Sequence, residues 1–552
     1  MRHRCAFCLF VCLLLCGRSA AAPKPLDADE QQLRSAGVGV DGPSLLEFFR
    51  KRASRLGQDE VRKLVRQLGV RSFAARERAS KALIDSGARA VPQLLQATQD
   101  PDAEVRRRAA ECLRAIEQNT APALVTSAAR LLAARKPPGA AEALLDFVPA
   151  VTDENAREEV FAAIAAVTVR HGRPEEVLTR GLSDEAPLRR AAAAVALCRA
   201  GVQKSRPAVR RLLEDADPQV RLHASLALVE AGEKEAVPVL IRLFGTLPRG
   251  RLWRAEDVLY RLAGEKAPGV ALGSDDETHR GFRTAWLAWW REHGKAVDLA
   301  SLHRNVFHDY TLLVLLDEGR VLELDSNDKV RFNIEKLALP LDVQSLPGER
   351  VLIAEHGANR VTERLRDGTI LWQQKAAEPL VAQRLANGNT FIACRTHLTE
   401  VDRDGREVLW YARPGNENEE FMRARKLSDG TTAVVVQARG RGEQHYLRLD
   451  AAGKELSRFA VNVHTFGGRL DVQPDGRVLI PEIYEQRVVE YDTKGKSVRE
   501  FAVTQPIAAT RLPNGNTLIT SMTEKRAVEL DLAGKMVWQY KANTRVTRAY
   551  RR

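Results

Sequence analysis

The sequence contains few cysteines, and most of them stand near its start. Four of the seven cysteines precede residue 17: Cys5, Cys8, Cys12 and Cys16. The remaining three, Cys112, Cys198 and Cys394, lie too far apart to form a disulfide framework, and the paired spacing of a zinc site is absent. Cys112 and Cys198 stand in alanine-rich stretches, which is typical of small core residues.

Long apolar runs are also scarce. The run Cys5–Gly17 has 13 residues, which are too few to span a bilayer as a helix. Basic residues precede it and the small residues Ser19–Ala22 follow it, so residues 1–21 are predicted to be a secretory signal peptide. Export to the periplasm or the extracellular space follows, with no transmembrane segment left after cleavage. A membrane anchor and lipidation of Cys16 are alternatives, and the bulky Leu15 argues against lipidation.

Several catalytic motifs are missing. The sequence has no G-x-x-x-x-G-K-[ST] phosphate loop, no H-E-x-x-H zinc helix and no G-x-S-x-G nucleophile turn. These absences argue against the nucleotide hydrolases, metalloproteases and serine hydrolases that carry the motifs. No cofactor and no metal site are predicted.

The charge is unbalanced toward basic residues. Lys and Arg number 85 against 72 Asp and Glu, which gives a formal net charge of +13. Most of this excess is interpreted as solvated arginine on helix faces. An exported basic protein meets anionic glycans, and export argues against nucleic acid as a partner.

Helical periodicity begins after a polar lead-in. Residues 22–43 contain proline and glycine and are predicted to be flexible. Over 44–295 apolar residues recur at helical spacing, and three helix starts share one frame: Asp102–Arg106, Asp153–Arg157 and Asp217–Arg221. The aspartate is predicted to cap the helix, and the arginine is expected to reach an aspartate of a neighbouring repeat.

This frame resembles the short bacterial HEAT repeat, D-x-x-V-R-x-x-A-A-x-x-L, over roughly Phe73–Gly264. The resemblance implies a curved α-solenoid that binds a protein partner, and a purely structural spacer is the alternative. Trp286, Trp289 and Trp290 follow at helical spacing. They are predicted to seal the last repeat and to pack against the next domain, with a carbohydrate platform as the alternative.

From residue 302 onward the apolar period changes to two, and a four-stranded unit repeats about every 40 residues. Each full unit has two turn glycines, as in Gly515 and Gly534. Four strands at this period predict a β-propeller blade. The unit 310–335 lacks a first strand and the tail 544–552 offers one, so residues 302–552 are predicted to form six blades closed by pairing of Val546–Arg551 with Thr311–Leu316.

The blade motif N-G-N-T-L-I, followed by R-V-x-E-x-D-x-x-G-K-x-x-W, resembles NHL-type, PQQ-like and arylsulfotransferase-type propellers over Leu341–Tyr540. Trp372, Trp410 and Trp538 stand in fourth strands, as in PQQ-like repeats. PQQ dehydrogenases imply an eight-bladed ring, vicinal cysteines and a calcium site, which this chain lacks. Arylsulfotransferases imply a histidine nucleophile on a loop.

Candidate ligand-binding residues come from the loops between second and third strands and between blades, which share one end of a propeller. They are His356, Arg360, His397, His464, Arg487 and Arg526. Such side chains suit an anionic glycan or another small ligand. The three arginines recur in frame, which also fits a structural role. The sequence favours an exported, non-enzymatic interaction or scaffold protein, and the alternative is a propeller enzyme or cofactor binder of arylsulfotransferase-like or PQQ-like type.

Overall fold

A computed structural model describes residues 25–551 of the chain. Within that range it leaves out 54–57, 88–89, 120–121, 152, 171–172, 274, 304–309, 414–418 and 439–441. The predicted signal peptide, residues 1–21 with Cys16, lies outside the described residues.

The described part of residues 25–303 forms sixteen α-helices and one short hairpin. The helices are α1 Pro25–Ser35, α2 Gly42–Arg52, α3 Gln58–Gln67, α4 Phe73–Asp85, α5 Val91–Ala97, α6 Ala103–Asn119, α7 Pro122–Arg135, α8 Ala140–Phe147, α9 Glu154–Val167, α10 Glu176–Gly181, α11 Pro187–Arg199, α12 Arg206–Arg211, α13 Pro218–Glu230, α14 Ala236–Arg242, α15 Arg249–Ala263 and α16 Asp276–His293. The hairpin between α9 and α10 pairs β1 Val169–Arg170 with β2 Arg173–Pro174.

The lead-in differs from the sequence-based expectation of a flexible segment at 22–43, because α1 packs against α7. Leu33 is fully buried, and the carboxylate of Asp29 accepts hydrogen bonds from the Ser127 hydroxyl at 2.7 Å and from Arg130 at 2.6 Å. The polar composition of the segment did not predict a packed helix. The helix is held because its polar residue Asp29 is buried against Ser127, almost 100 positions away.

The repeat frame places its aspartates as predicted, but Arg106 and Arg221 lie differently from the prediction. Asp102 and Asp217 accept from the backbone N–H two residues on and cap α6 and α13. Arg106 and Arg221 donate to the two carbonyls before that cap, which lie in their own turn rather than in a neighbouring repeat. The arginine therefore closes each turn and fixes the direction from which its helix starts.

The tryptophan-rich helix α16 ends the helical core. Trp286 is fully buried and its ring lies edge-on to Tyr260 of α15, with centroids 5.1 Å apart. Trp289 is also buried, and both join the main core cluster of the helices. The prediction that this helix seals the last repeat agrees with the packing, but the described polar contacts with the propeller come from α15 and from Glu265 after it.

The strands of the propeller run from residue 311 to residue 551. They are β3 Thr311–Leu315, β4 Arg320–Leu324, β5 Val330–Ile334, β6 Pro340–Leu346, β7 Arg350–Glu355, β8 Arg360–Leu365, β9 Ile370–Lys375, β10 Pro379–Arg384, β11 Thr390–Cys394, β12 Leu398–Val401, β13 Glu407–Tyr411, β14 Glu419–Lys426, β15 Thr432–Ala438, β16 Gln444–Leu449, β17 Glu455–Val461, β18 Asp471–Val472, β19 Val478–Glu482, β20 Arg487–Tyr491, β21 Ser497–Ala502, β22 Pro506–Arg511, β23 Thr517–Ser521, β24 Arg526–Leu530, β25 Met536–Lys541 and β26 Val546–Arg551.

These strands form six antiparallel four-stranded sheets, and the last strand closes the ring. Blade 1 has the order β26-β3-β4-β5, and blades 2 to 6 each use four consecutive strands, from β6–β9 to β22–β25. In blade 1, Val546 pairs with Leu315 and Arg551 pairs with Thr311. The predicted six-bladed propeller with closure by the C-terminal strand is therefore confirmed.

Ion pairs join neighbouring blades through a glutamate of the third strand. The partner is the arginine that ends the innermost strand of the next blade, in the pairs Arg384–Glu363, Arg511–Glu490 and Arg551–Glu529. All three glutamates are buried. A buried carboxylate needs such a partner, so these pairs set the spacing between the blades.

Candidate functional site

The helices cover one end of the propeller. We call it the turn face, because it carries the turns that join strands one and two and strands three and four of each blade; the opposite end is the loop face. Gly348 and Gly388 lie in two of these turns with positive φ, and a Cβ there would collide with Tyr260 and Trp253. The helical domain thus rests directly on the backbone of blades 2 and 3.

A buried group of charged residues, which we call the junction network, fastens the two domains. Arg403 of blade 3 forms ion pairs with Glu256 of α15 and, at 2.8 Å, with Glu363 of blade 2. Arg350 binds the same Glu363 at 2.5 Å and also Asp257 of α15. Burial raises the pKa of Glu363, but Arg403 and Arg350 outweigh it and hold that pKa at about 2. Glu363 is therefore charged and joins both domains.

The channel of the propeller is crossed by the connection from blade 4 to blade 5. This plug segment, Val463–Leu470, replaces most of a first strand, which is why β18 has only two residues. The backbone N–H of Gly467 donates to Met422 of blade 4 at 2.8 Å, and that of Gly468 donates to Leu380 of blade 3 at 3.0 Å. A ligand that approaches the loop face therefore meets the plug segment at the channel mouth.

His464 is the second residue of the plug segment and is exposed on the loop face. Its Nδ1 lies 3.0 Å from Nε2 of Gln444, and its ring lies against Tyr484 with centroids 4.8 Å apart. Tyr484 is 69% exposed. The Gln444 amide fixes the ring orientation, and Nε2 has no hydrogen-bond partner in the part of the chain that the structure describes.

His397 and His356 lie in other blades and other surroundings. The ring of His397 stacks on Trp410 with centroids 6.0 Å apart, and burial lowers the pKa of this histidine. His356 lies in the loop between the second and third strands of blade 2, and its buried Nδ1 has no hydrogen-bond partner among the residues that the structure describes.

The three candidate arginines each begin the third strand of a blade. Arg360 binds Glu355 at 3.0 Å and Arg487 binds Glu482 at 2.9 Å. These two glutamates end the second strands of their blades at equivalent positions. Arg526 instead binds Glu524 of its loop. Two of the arginines therefore neutralise a fully buried carboxylate of their own blade.

Among the described residues, no hydrogen bond, ion pair or ring contact joins one of the six candidates to another. The structure groups His464 with Gln444 and Tyr484, and His397 with Trp410. His356 and Arg360 share blade 2, and Arg487 and Arg526 lie in blades 5 and 6. Sequence reasoning missed Gln444, because it begins β16 between the polar residues Glu443 and His445 and nothing in the sequence distinguishes it from them. It also missed the role of the plug segment, although the pair Gly467-Gly468 marked an unusual backbone there.

Trp410 lines a groove that sequence reasoning did not single out. The groove has a volume of about 390 Å³ and lies between β13 and the turn Asp450–Gly453 of blade 4. Trp410 is 58% exposed, whereas Trp372 is 6% exposed. The cause is register: Trp372 and Trp538 pair opposite Glu363 and Glu529, but Trp410 is shifted by one residue and therefore points to the other side of its sheet.

Comparison with known proteins supports the reading of the helices. Residues 174–259 match the family model described as HEAT repeats, and residues 90–119 match the model for a single HEAT repeat. The N-terminal helical region thus contains HEAT-type repeats at these residues, and it precedes a six-bladed propeller. No curated protein matches the chain.

Solved structures of propeller type share only part of the chain. A Bacteroides caccae protein of unknown function is 21% identical over 35% of this chain and 73% of its own, with a TM-score of 0.31. A streptogramin B lyase is 16% identical over 42% and 79%, with a TM-score of 0.33. The virginiamycin B lyase of Staphylococcus aureus is 14% identical over 44% and 87%, with a TM-score of 0.32. Similarity at this level carries no argument about activity.

The described residues lack two further features. They contain no group of three or more His, Cys, Asp or Glu side chains placed to hold a metal ion. None of the described helices is both long and apolar enough to cross a membrane.

Proposed function

We propose that this is an exported, non-enzymatic binding protein in which the helical repeats hold a protein partner and the loop face of the propeller holds a small or polymeric anionic ligand. The observation that carries the proposal is the covered turn face. Because α15 occupies that face over blades 2 and 3 and the plug segment crosses the channel, the loop face remains for a ligand.

The residues of the loop face suit this role. His464 and Tyr484 present an exposed ring pair, and Phe466 of the plug segment is 36% exposed with the Arg395 guanidinium 5.1 Å from its ring centroid. Aromatic faces flanked by cationic groups bind sugar rings that carry carboxylate or sulfate groups. These four residues of the loop face lie at the channel mouth, where the loops of several blades meet.

Titration of the full chain with a sulfated glycan tests the proposal. We expect Tyr484→Ala and His464→Ala to weaken binding at least tenfold. Arg406→Ala is the control, because its side chain is 75% exposed on the turn face. Equal affinities in all four proteins would contradict a loop-face site.

Export is tested separately by following the cellular fraction of the protein. We expect the chain without residues 1–21 to stay in the cytoplasm and the full chain to reach the periplasm or the medium. The same fraction for both would contradict export.

An enzymatic alternative is favoured by one observation. The Gln444 amide donates to Nδ1 of His464, so the neutral ring carries its proton on the exposed Nε2, which can donate a hydrogen bond to a sulfate oxygen. An arylsulfotransferase-like reaction would then show turnover of an aryl sulfate donor that His464→Ala abolishes and Gln444→Ala lowers. If the wild-type protein shows no turnover, the enzymatic alternative is contradicted and the proposed binding function stands.

A further inference from the structure

Three arginines meet where the plug segment crosses the channel. Arg423 of blade 4 and Arg548 of blade 1 occupy the same register position, directly after the irregularity in the innermost strand. Each residue is 2% exposed. Arg469 is the third and belongs to the plug segment itself. The cluster is distinct from the loop-face residues described above, because it lies below them inside the propeller.

One carboxylate accompanies the three guanidinium groups. Asp342 is fully buried, Nε of Arg469 lies 3.3 Å from its Oδ2, and the Tyr550 hydroxyl donates to its Oδ1 at 2.8 Å. This carboxylate is thus held by Arg469 and Tyr550. In the part of the chain that the structure describes, Arg423 and Arg548 form no ion pair with a carboxylate.

Only some of the N–H groups of Arg423 and Arg548 donate hydrogen bonds to neutral acceptors. Arg423 donates to the Thr465 hydroxyl at 2.5 Å and to the Ile507 carbonyl. Arg548 donates to the Thr547 carbonyl and to carbonyls of the plug segment. The Nε–H groups of both arginines are buried and donate to no group of the described chain.

Two buried guanidinium groups that donate only to neutral acceptors are unfavourable. Burial lowers the pKa of Arg423 far below its usual value, and the charge of Arg548 lowers it further. A guanidinium nevertheless keeps its proton in proteins. An uncompensated buried charge is strongly destabilising, and no carboxylate of the described residues forms an ion pair with Arg423 or Arg548, so a bound counter-ion would stabilise both groups.

We propose that Arg423 and Arg548 bind a small inorganic anion, of halide or oxyanion class, through their two Nε–H groups. A small ion is required because the plug segment covers the cluster: a Cβ on Gly468 would already collide with the Arg548 guanidinium. The bound anion links blade 4, blade 1 and the plug segment, and it thereby holds the floor of the loop face in place.

Thermal unfolding of the full chain at constant ionic strength tests this site. Chloride, sulfate or phosphate replaces gluconate, which is too large for the covered cluster. We expect the Tm to rise by several degrees and to saturate with one of the small anions, and the comparison of chloride with the oxyanions identifies the class. The same Tm in all salts, or a rise without saturation, would overturn the proposal.

Two variants separate the site from a general salt effect. Arg423→Met and Arg548→Met are expected to lose the saturable rise. In gluconate they should unfold at the same temperature as the wild type or a higher one, because an unpaired buried charge is gone. Arg477→Gln is the control, since this arginine is 39% exposed and pairs with Asp475, and it should keep the rise. Loss of the rise in Arg477→Gln as well would contradict the assignment.

A direct measurement covers the case in which a variant does not fold. Crystals of the wild-type protein are grown in bromide if chloride gave the larger rise, or in selenate if an oxyanion did. We expect an anomalous peak next to Nε of Arg423 and of Arg548. Crystals without a peak at these atoms would overturn the proposal.

Discussion

Arg545 and Asp317 form an ion pair that joins the last strand of the propeller to its first blade. Nε of Arg545 lies 2.8 Å from Oδ2 of Asp317, although the residues are 228 positions apart. The Thr544 hydroxyl donates to the same carboxylate at 3.0 Å. The Arg545 guanidinium, with the Thr544 hydroxyl, holds the pKa of Asp317 at about 2, so this carboxylate is charged wherever the protein is folded near neutral pH.

Removal of Thr544–Arg552 should destabilise the whole propeller. Val546 and Ala549 are buried in the core between blades 1 and 6, and burial of apolar side chains contributes about 1.5–3 kcal/mol each for the larger ones. We expect a loss of several kcal/mol in the free energy of unfolding, measured with urea. Arg545→Ala alone should cost less than about 1 kcal/mol, because the pair is exposed. Equal stability of the full and shortened chains would mean that the ring closes in another way.

Loss of Arg403 should loosen the junction between the domains. Its side chain is 4% exposed and holds both Glu256 and Glu363. Arg403→Met therefore leaves the buried Glu256 with only Arg249, 3.7 Å away, and removes one of the three arginines that hold Glu363. Breaking a buried pair in this way costs about 3–5 kcal/mol. We expect calorimetry to show two separate unfolding transitions. The exposed Arg406→Ala should leave the wild-type profile unchanged, and a single unshifted transition in Arg403→Met would contradict the role of the network.

The junction network should also weaken in acid. The folded-state pKa of Glu363, about 2, lies below the ordinary value of 4.5. Its contribution to stability is therefore complete above about pH 4.5 and is lost as the pH falls toward about 2. We expect the wild type to be more stable than Glu363→Gln at neutral pH, and this difference to shrink over that interval. A difference that stays constant down to about pH 2.5 would show that another group carries the effect.

Two tryptophans of the fourth strands should respond differently to truncation. Trp372 is buried with the Arg384 guanidinium 5.3 Å from its ring centroid, so Trp372→Ala should cost about 3–5 kcal/mol. Trp410 is largely exposed, and Trp410→Ala should change the free energy of unfolding by less than about 1 kcal/mol. Similar losses in both variants would contradict the register difference.

The fold could be predicted largely from the sequence because its local signals repeat. The turn glycines, such as Gly515 and Gly534, recur with positive φ in blades 2 to 6, and the aspartate caps of α6 and α13 recur in the helices. The same signals would have located Trp410 correctly: it stands five residues after the turn glycine Gly405, whereas Trp372 stands four residues after Gly368.

The candidate site was less predictable, because its contacts join distant parts of the chain. The plug segment reads as an ordinary connection, and its hydrogen bonds to Met422 and Leu380 are set by the ring rather than by neighbouring residues. Likewise, Arg360 and Arg487 recur at one position of their blades. This recurrence indicated a repeated geometry, but it did not identify their ion-pair partners Glu355 and Glu482. The ligand-binding role of the six candidate residues stays a prediction.

The position of β26 sets an order of events during synthesis. The helical repeats and strands β3 to β25 leave the ribosome first, and blade 1 then presents β3 as a free strand edge. An unpaired edge of this kind invites pairing with other chains until its partner arrives. The propeller cannot reach its native state before residue 551 is available, so a nascent chain that stalls late in translation would carry a complete helical domain and an aggregation-prone ring.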